Sequence, residues 1–174
     1  MTSARRIDHK KKDRFMVAHF PGEVKRSQSF DEWPPHVTIF PWFVTYEATA
    51  VDRFMRVIRV LERRPVDLTP KPLDQVAMYG AEGDVRVREI GESTSLGVIH
   101  GVCLSAFEEF LADGTYVAGA YSPHESEHPG HPERYANPKL SVVVDSLCLV
   151  MRRPRSKLIV CAEKLRRPTE CTYE

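Results

Sequence analysis

Strand-like segments of this chain come in runs, and a single helix-like segment follows each run. Apolar runs at 14–20 and 36–40 precede residues 46–64, where apolar side chains recur at helical spacing with arginines between them. The remaining segments are strand-like at 66–68, 75–79 and 85–90, helical at 94–111, and strand-like at 116–121, 140–151 and 157–163. Strand and helix do not alternate regularly, which excludes a doubly wound parallel sheet. The pattern predicts an α+β fold with two halves of similar element order.

The length of 174 residues fits one folded unit rather than two independent domains. Basic residues cluster before the first apolar run, so we predict a basic, flexible N-terminal tail at 1–13 and a single domain at 14–174. The whole chain carries 25 basic and 24 acidic residues, a net charge of +1. With so small a net charge, the protein as a whole does not attract nucleic acid or membranes electrostatically. Any site that binds an anion must therefore depend on a local cluster of charges or donors.

Cysteine spacing and hydropathy argue against disulfide-rich, zinc-knuckle and membrane-spanning proteins. The four cysteines (Cys103, Cys148, Cys161 and Cys171) form no CxxC pair, and three lie in apolar stretches, which favours buried free thiols over a disulfide scaffold or zinc knuckle. No apolar segment approaches the ~18 residues of a membrane span. We therefore expect a cytoplasmic protein without a membrane partner. The sequence does not determine the oligomeric state, for which we favour a monomer.

Each half contains the pattern proline, histidine, any residue, then threonine or serine. The two copies are Pro35-His36-Val37-Thr38 and Pro123-His124-Glu125-Ser126. On an extended strand, residues i and i+2 point to the same face, so each histidine shares a face with its hydroxyl. Two such strands side by side would present two imidazoles and two hydroxyls to one cleft.

This set of side chains suits phosphoryl chemistry. Histidine titrates near neutrality, so one imidazole can accept a proton while the other donates one. The hydroxyls of Thr38 and Ser126 would hold the non-bridging phosphate oxygens, and these donors offset the developing charge without a metal or other cofactor. We therefore predict that His36, Thr38, His124 and Ser126 are catalytic.

The paired motifs resemble those of the two-histidine (2H) phosphoesterase superfamily, which includes RNA 2′,5′ ligase-like and cyclic phosphodiesterase proteins. The resemblance spans roughly residues 14–163, and Pro-Pro-His36-Val-Thr-Ile-Phe40 carries it most strongly. The second motif departs from the family, because Glu125 and Glu127 replace the usual apolar residues. The resemblance implies a bilobal protein with pseudo-two-fold halves, in which two antiparallel sheets with flanking helices face a central cleft.

The same resemblance implies the reaction and the substrate. The expected substrate is a phosphodiester of a nucleotide or RNA: a 2′,3′-cyclic phosphate, a 2′,5′ linkage or a cyclic oligonucleotide. Members of the superfamily cleave such bonds, ligate RNA ends in the reverse direction, or bind without turnover. The sequence leaves open whether this chain is a hydrolase, a ligase or a nucleotide-binding module.

Four further residues are candidates for substrate binding. Phe40 shares strand parity with His36 and Thr38, and Trp42 shares it if the strand continues past Pro41. Either ring, or that of Tyr121, could stack on a base. His19 could reach the cleft floor. His100, in contrast, lies at helical spacing among apolar residues and is expected to be a packed, hydrogen-bonded helix residue.

A rival interpretation uses the same residues as a metal site. His124-Glu125-Ser126-Glu127-His128 matches the His-Glu-x-x-His zinc signature, which would make the chain a metallohydrolase. That mechanism requires a helix, yet Pro123, Pro129 and Pro132 leave space for little more than one turn. A strand-borne motif predicts that activity survives EDTA and the substitution Glu125→Gln. His131 remains an alternative ligand.

Overall fold

The computed structural model describes residues 11–64, 66–79, 85–91, 94–111, 121–127, 130, 132–135 and 140–165. The strands in these ranges are β1 Lys12–His19, β2 Ser29–Phe30, β3 His36–Tyr46, β4 Lys71–Tyr79, β5 Val85–Ile90, β6 His124–Ser126, β7 Ser141–Val142, β8 Ser146–Arg152 and β9 Lys157–Lys164. The helices are α1 Glu47–Glu62, α2 Thr94–Phe107 and the single turn α3 Pro132–Tyr135, and a 3-10 turn at Glu108–Phe110 extends α2.

The nine strands form one sheet in the order β2-β9-β8-β1-β3-β6-β5-β4-β7, and every neighbouring pair is antiparallel. The α+β class is therefore confirmed. The expected division into two facing sheets is not observed, because β3 pairs directly with β6 and joins the strands of the two halves into a continuous ladder. The strand pairing places the two sequence motifs side by side at that junction.

Helices α1 and α2 cover one face of the sheet, here called the helix face. The apolar period that predicted α1 places Phe54, Ile58 and Leu61 in the main core, together with the strand residues Phe15 and Val37. Burial of each such side chain contributes roughly 2 kcal/mol. A smaller cluster on the opposite face contains Met16, Ala18, Phe20, Cys148, Val150 and Ile159. The opposite face over β3 and β6 carries the two motifs.

Strand β3 is longer than predicted and irregular. The sequence indicated a strand ending near Phe40, but pairing with β1 continues to Tyr46. Two register shifts fall between Thr38 and Phe43 and account for the continuation through Pro41, which has no N–H to give to a ladder. The first shift reverses the alternation of side chains after Thr38.

Other predicted boundaries are confirmed or corrected. Strands β5 and β9 and helix α1 lie where the sequence placed them, whereas the predicted strand 140–151 is divided into β7 and β8. Lys12 and Asp13, predicted as tail, belong to β1 and pair with Tyr46 and Thr45. Residues 1–10, and most of the predicted strand 116–121, lie outside the described residues. Residues 66–68 form no strand.

Two further sequence expectations concern the cysteines and the membrane. Cys103, Cys148 and Cys161 are free and buried, as predicted, and burial raises the pKa of the Cys148 thiol to about 12. Cys171 lies outside the described residues. Among the helices that the structure describes, none has the length and apolar character needed to cross a membrane.

Candidate active site

The two sequence motifs meet on one face of the sheet. In the β3–β6 ladder, His36 pairs with Ser126 and Val37 pairs with Glu125. Directly opposed residues share a face, and alternation brings Thr38 and His124 to the face of His36 and Ser126. We call this the histidine face. Val37 and Glu125 point the other way, toward the helix face.

The two histidine rings are anchored in the same manner. Nδ1 of His36 donates to the carbonyl oxygen of Pro34 at 2.9 Å, and Nδ1 of His124 donates to that of Ser122 at 2.8 Å. A carbonyl oxygen only accepts, so each Nδ1 must carry a proton. In the neutral ring, Nε2 then holds the lone pair and can act as a base. Both motifs thus bond the carbonyl two residues upstream, which supports the predicted similarity of the two halves.

His124 lies among groups from three strands or adjoining segments. Its ring meets that of Tyr79 edge-on at 4.6 Å, and Glu89 is its cross-strand partner on β5. The Tyr79 hydroxyl donates to Glu89 Oε1 at 2.8 Å and lies 3.1 Å from Oγ of Ser122. Burial lowers the pKa of His124, and the bond to Ser122 and the charge of Glu89 oppose that change. Burial therefore favours the neutral form of His124.

His36 lies against an aromatic group. Its ring stacks on Trp33 with centroids 4.4 Å apart, and Phe20 is 6.1 Å from it. Trp33 also contacts Trp42 at 6.1 Å, and the Nζ of Lys157 lies 5.4 Å from the Trp33 ring. Trp42 consequently lies on the histidine face, because the second register shift in β3 restores the parity that the first reverses. The two tryptophans form a wall on the β1 side of His36.

Glu125 lies behind the second motif and is fully buried. Arg134 of α3 holds it through two bonds, from Nε to Oε1 at 2.6 Å and from Nη2 to Oε2 at 2.7 Å. The hydroxyl of Tyr135 donates to the Ser126 carbonyl at 3.2 Å, and Arg88 donates to the carbonyl of Tyr135 at 2.9 Å. Helix α3 is thereby fastened to the back of β6, which holds the strand carrying His124 and Ser126.

This arrangement contradicts the helix required by a His-Glu-x-x-His metal site. Residues 124–126 are extended, and the Glu125 carboxylate faces Arg134 on the side opposite His124. His128 and His131 lie outside the described residues. Among the residues that the structure describes, no cluster of three or more His, Cys, Asp or Glu could hold a metal ion.

Side chains of α2 and of Tyr121 donate hydrogen bonds to two backbone carbonyl groups at the bulge in β3. Nδ1 of His100 donates to the Ile39 carbonyl at 2.8 Å, and the Tyr121 hydroxyl donates to the Thr38 carbonyl at 3.3 Å. The His100 and Tyr121 rings stack at 4.0 Å with an angle of 6°. His100 is buried and hydrogen-bonded, as predicted. Tyr121 therefore helps to hold the backbone beside Thr38, and His100 covers one face of the Tyr121 ring.

Phe40 and His19 do not lie on the histidine face. Phe40 is fully buried against Phe43 and Phe107 on the helix face, because the bulge after Thr38 reverses the expected parity. His19 pairs with Val37 and therefore also points to the helix face. It is 1% exposed, its Nδ1 lies 3.0 Å from the Ser146 carbonyl, and its Nε2 is buried without a hydrogen-bond partner. Both side chains are therefore buried away from the histidine face, and their contacts with a ligand stay predictions.

Three neighbours of the histidines were not identified from the sequence. Trp33 precedes His36 by three residues, and its position before Pro34-Pro35 is the only local signal for its contact with His36. Tyr79 and Glu89 lie on β4 and β5, far from His124 in sequence. The β5–β6 pairing brings Glu89 to His124, and the β4–β5 pairing adds Tyr79, so no spacing rule could have found them.

Comparisons with known proteins give structural matches only. No family model matches the chain, and no curated protein matches its sequence. Among solved structures, a phosphoesterase superposes with a TM-score of 0.52 at 15% identity, covering 90% of this chain and 100% of the other. E. coli LigT complexed with 3′-AMP gives a TM-score of 0.53 at 14% identity, with 90% and 100% coverage. LigT complexed with NADP⁺ gives 0.52 at 16%, with 90% and 99% coverage. The chain therefore has the fold of LigT and of this phosphoesterase, as the paired motifs predicted.

Proposed function

We propose that the histidine face cleaves a phosphodiester of a nucleotide or RNA without a metal, by general acid and base catalysis from two imidazoles. The observation that carries this proposal is the β3–β6 register, which sets His36 opposite Ser126 and brings His124 and Thr38 to the same face. Diagonal neighbours on adjacent strands are ~7–8 Å apart at Cα, close enough for both rings to contact one phosphate. The hydroxyls of Thr38 and Ser126 hold its non-bridging oxygens.

The surroundings favour different roles for the two histidines. His124 acts as the base, because burial favours its neutral form and its Nδ1 proton leaves the lone pair on Nε2. His36 acts as the acid, because its imidazolium would stack on the electron-rich face of Trp33, which attracts a cation. A phosphodiester placed between them receives a proton on the leaving oxygen as the attacking hydroxyl or water loses one.

The substrate class follows from the site and from its structural relatives. LigT is described in complexes with 3′-AMP, ATP and NADP⁺, all of which are nucleotides. Trp42, on the histidine face beside Trp33, provides a flat surface next to His36. A 2′,3′-cyclic phosphate, a 2′,5′ linkage or a cyclic oligonucleotide fits this chemistry, because each joins a phosphodiester to a planar base.

The test is a cleavage screen of cyclic mononucleotides, 2′,5′-linked oligomers and cyclic oligonucleotides in the presence of EDTA. We expect turnover of at least one class, and we expect His36→Ala and His124→Ala each to reduce it by about 10³-fold or more. Circular dichroism and thermal melting should show that both variants remain folded. Ser105→Ala on α2 serves as a control that leaves turnover unchanged.

Three results would contradict the proposal. Turnover that EDTA abolishes and one metal restores would indicate a metallohydrolase. A fully active His124→Ala variant would show that the second motif is misassigned. Tight nucleotide binding without turnover of any substrate class would indicate a binding module of the same fold.

A further inference from the structure

A second cavity lies at the end of the sheet where the first motif begins. It encloses about 540 Å³, within the usual range for small-molecule sites. Pro34 and Pro35, which line it, immediately precede His36, and the ring of Phe20, also in its wall, is 6.1 Å from the ring of His36. On the other side, Arg134 lines the cavity and holds Glu125, which lies between His124 and Ser126. Through Pro34 and Pro35 the cavity adjoins the start of β3, next to His36 on the histidine face, and Arg134 reaches it from the helix face.

The walls of the cavity are apolar and aromatic, with few polar groups. Phe20 and Phe30 lie with their rings 5.6 Å apart at an angle of 34°, and Val24 and Leu140 complete the apolar surface. Gln28 and Glu23 add an amide and a carboxylate. Aromatic walls with one or two convergent polar groups suit a flat, amphipathic ring better than an extended ionic group.

Charge argues against a phosphate in this cavity. Among the lining residues that the structure describes, Arg134 is the only basic one, and two of its nitrogens donate to the buried Glu125 carboxylate. This pair is neutral overall, and Glu23 adds a negative charge to the described lining. The described residues therefore offer an anion only a cation that is already paired, whereas an uncharged ring needs none.

The loop that forms one wall is held in place before any ligand binds. The N–H of Ser27 donates to the Ile159 carbonyl at 2.8 Å, and the N–H of Ile159 donates to the Gln28 carbonyl at 2.9 Å. The side-chain oxygen of Gln28 accepts from the N–H of Lys25 at 2.9 Å, so its amide nitrogen remains the donor for other partners. A wall that is already ordered loses little entropy on binding.

We propose that this cavity binds the nucleobase of the substrate whose phosphodiester lies on the histidine face. The assignment rests on the proposed function for the position of the diester. The base stacks against the half-buried ring of Phe30, which the buried Phe20 supports from behind, and Gln28 and Glu23 offer a donor and an acceptor to its edge. The cavity, rather than the tryptophan wall, thereby discriminates nucleotides from other phosphodiesters.

Gly22 lines the cavity and can carry a side chain without disturbing the frame around it. A Cβ built on Gly22 meets no atom within 4 Å, and the same is true of Gly101, which lines a separate groove between α1 and α2. Gly22→Leu is therefore the test variant and Gly101→Leu its matched control. Both add the same side chain to an open surface, so a difference between them reports on the cavity.

The first measurement is calorimetric binding of adenosine, which carries no phosphate and requires no turnover. We expect the wild-type protein and Gly101→Leu to bind it equally, and Gly22→Leu to bind at least about tenfold more weakly, since base stacking of this kind makes a contribution of that order. The second measurement compares cleavage of a nucleoside 2′,3′-cyclic phosphate with that of the cyclic phosphate of a ribose lacking a base. We expect Gly22→Leu to raise KM for the nucleoside cyclic phosphate. This increase should be at least about tenfold larger than the increase in KM for the compound that lacks a base.

The outcomes separate this inference from the proposed function. Equal adenosine binding by Gly22→Leu and Gly101→Leu would overturn the base site, whatever the protein cleaves. If Trp42→Ala lost affinity for adenosine and Gly22→Leu did not, the base would bind at the tryptophan wall. That result would also overturn the proposed base site. Adenosine binding that Gly22→Leu weakens, in a protein that cleaves no phosphodiester, would support the base site and reject the proposed chemistry.

Discussion

His36 lies directly across the β3–β6 ladder from Ser126, so the imidazole of the first motif is beside the hydroxyl of the second. The histidine of one motif therefore lies beside the hydroxyl of the other, and the site requires residues from both motifs. The two Nδ1 bonds to Pro34 and Ser122 orient the rings before substrate binds. A change at one motif should consequently alter the energetic effect of a change at the other.

The hydroxyls should contribute less than the histidines. We expect Thr38→Ala and Ser126→Ala each to reduce kcat/KM by roughly 10- to 100-fold, because each removes one hydrogen bond to the phosphate and no proton transfer. In the double variant His36→Ala/Ser126→Ala, the losses should combine to less than their product, as measured by a double-mutant cycle on kcat/KM. Strictly multiplicative losses would mean that the two residues act at separate sites.

The pH profile of kcat/KM should depend on His124 and Glu89. A base must be neutral, and burial lowers the pKa of His124, so activity should rise with pH through a midpoint below the ordinary ~6.5. The charge of Glu89 raises that pKa, so Glu89→Gln should move the acid limb to still lower pH. Glu109→Gln, at the exposed pair with Arg53, is the control and should leave the profile in place. An acid limb that moves to higher pH in Glu89→Gln would contradict the assignment of the base.

Glu125→Gln should affect stability more than chemistry. The carboxylate is fully buried and the side chain of Arg134 is 24% exposed, so loss of the charge weakens two charge-assisted bonds. We expect a decrease of about 2 kcal/mol in the free energy of unfolding, measured in urea at pH 7. Glu109→Gln should change it by less than about 0.5 kcal/mol. A dead Glu125→Gln enzyme of unchanged stability would instead favour a carboxylate that activates water.

His100→Leu should loosen the bulge that follows Thr38. The substitution leaves the buried carbonyl of Ile39 without the Nδ1 donor and removes the stacking on Tyr121. We expect the free energy of unfolding to fall by about 1–3 kcal/mol. We also expect kcat/KM to fall, because Thr38 loses its neighbouring support. Melting and kinetics on the same preparation check both effects, and unchanged stability would show that this bond does not hold the bulge.

Much of the fold and half of the site could be predicted from local patterns. The apolar period of α1 and the alternation in β5 are properties of single segments, and both elements lie where the sequence placed them. The His-x-Thr and His-x-Ser motifs follow the same logic, because residues two apart on any strand share a face. The bulge after Thr38 escaped prediction, since Pro41 signals an irregularity in the strand but its position depends on the pairing with β1. Phe40 was misplaced for that reason.

The sequence by itself determined the α+β class, the two motifs and the face that each histidine shares with its hydroxyl, because these depend on backbone geometry over a few residues. Only the tertiary structure decided that the two motifs are neighbours, that Tyr79 and Glu89 lie beside His124, and that Glu125 is paired with Arg134. Those contacts join residues from separate strands and helices. Their register depends on the packing of the whole sheet, which no local pattern encodes.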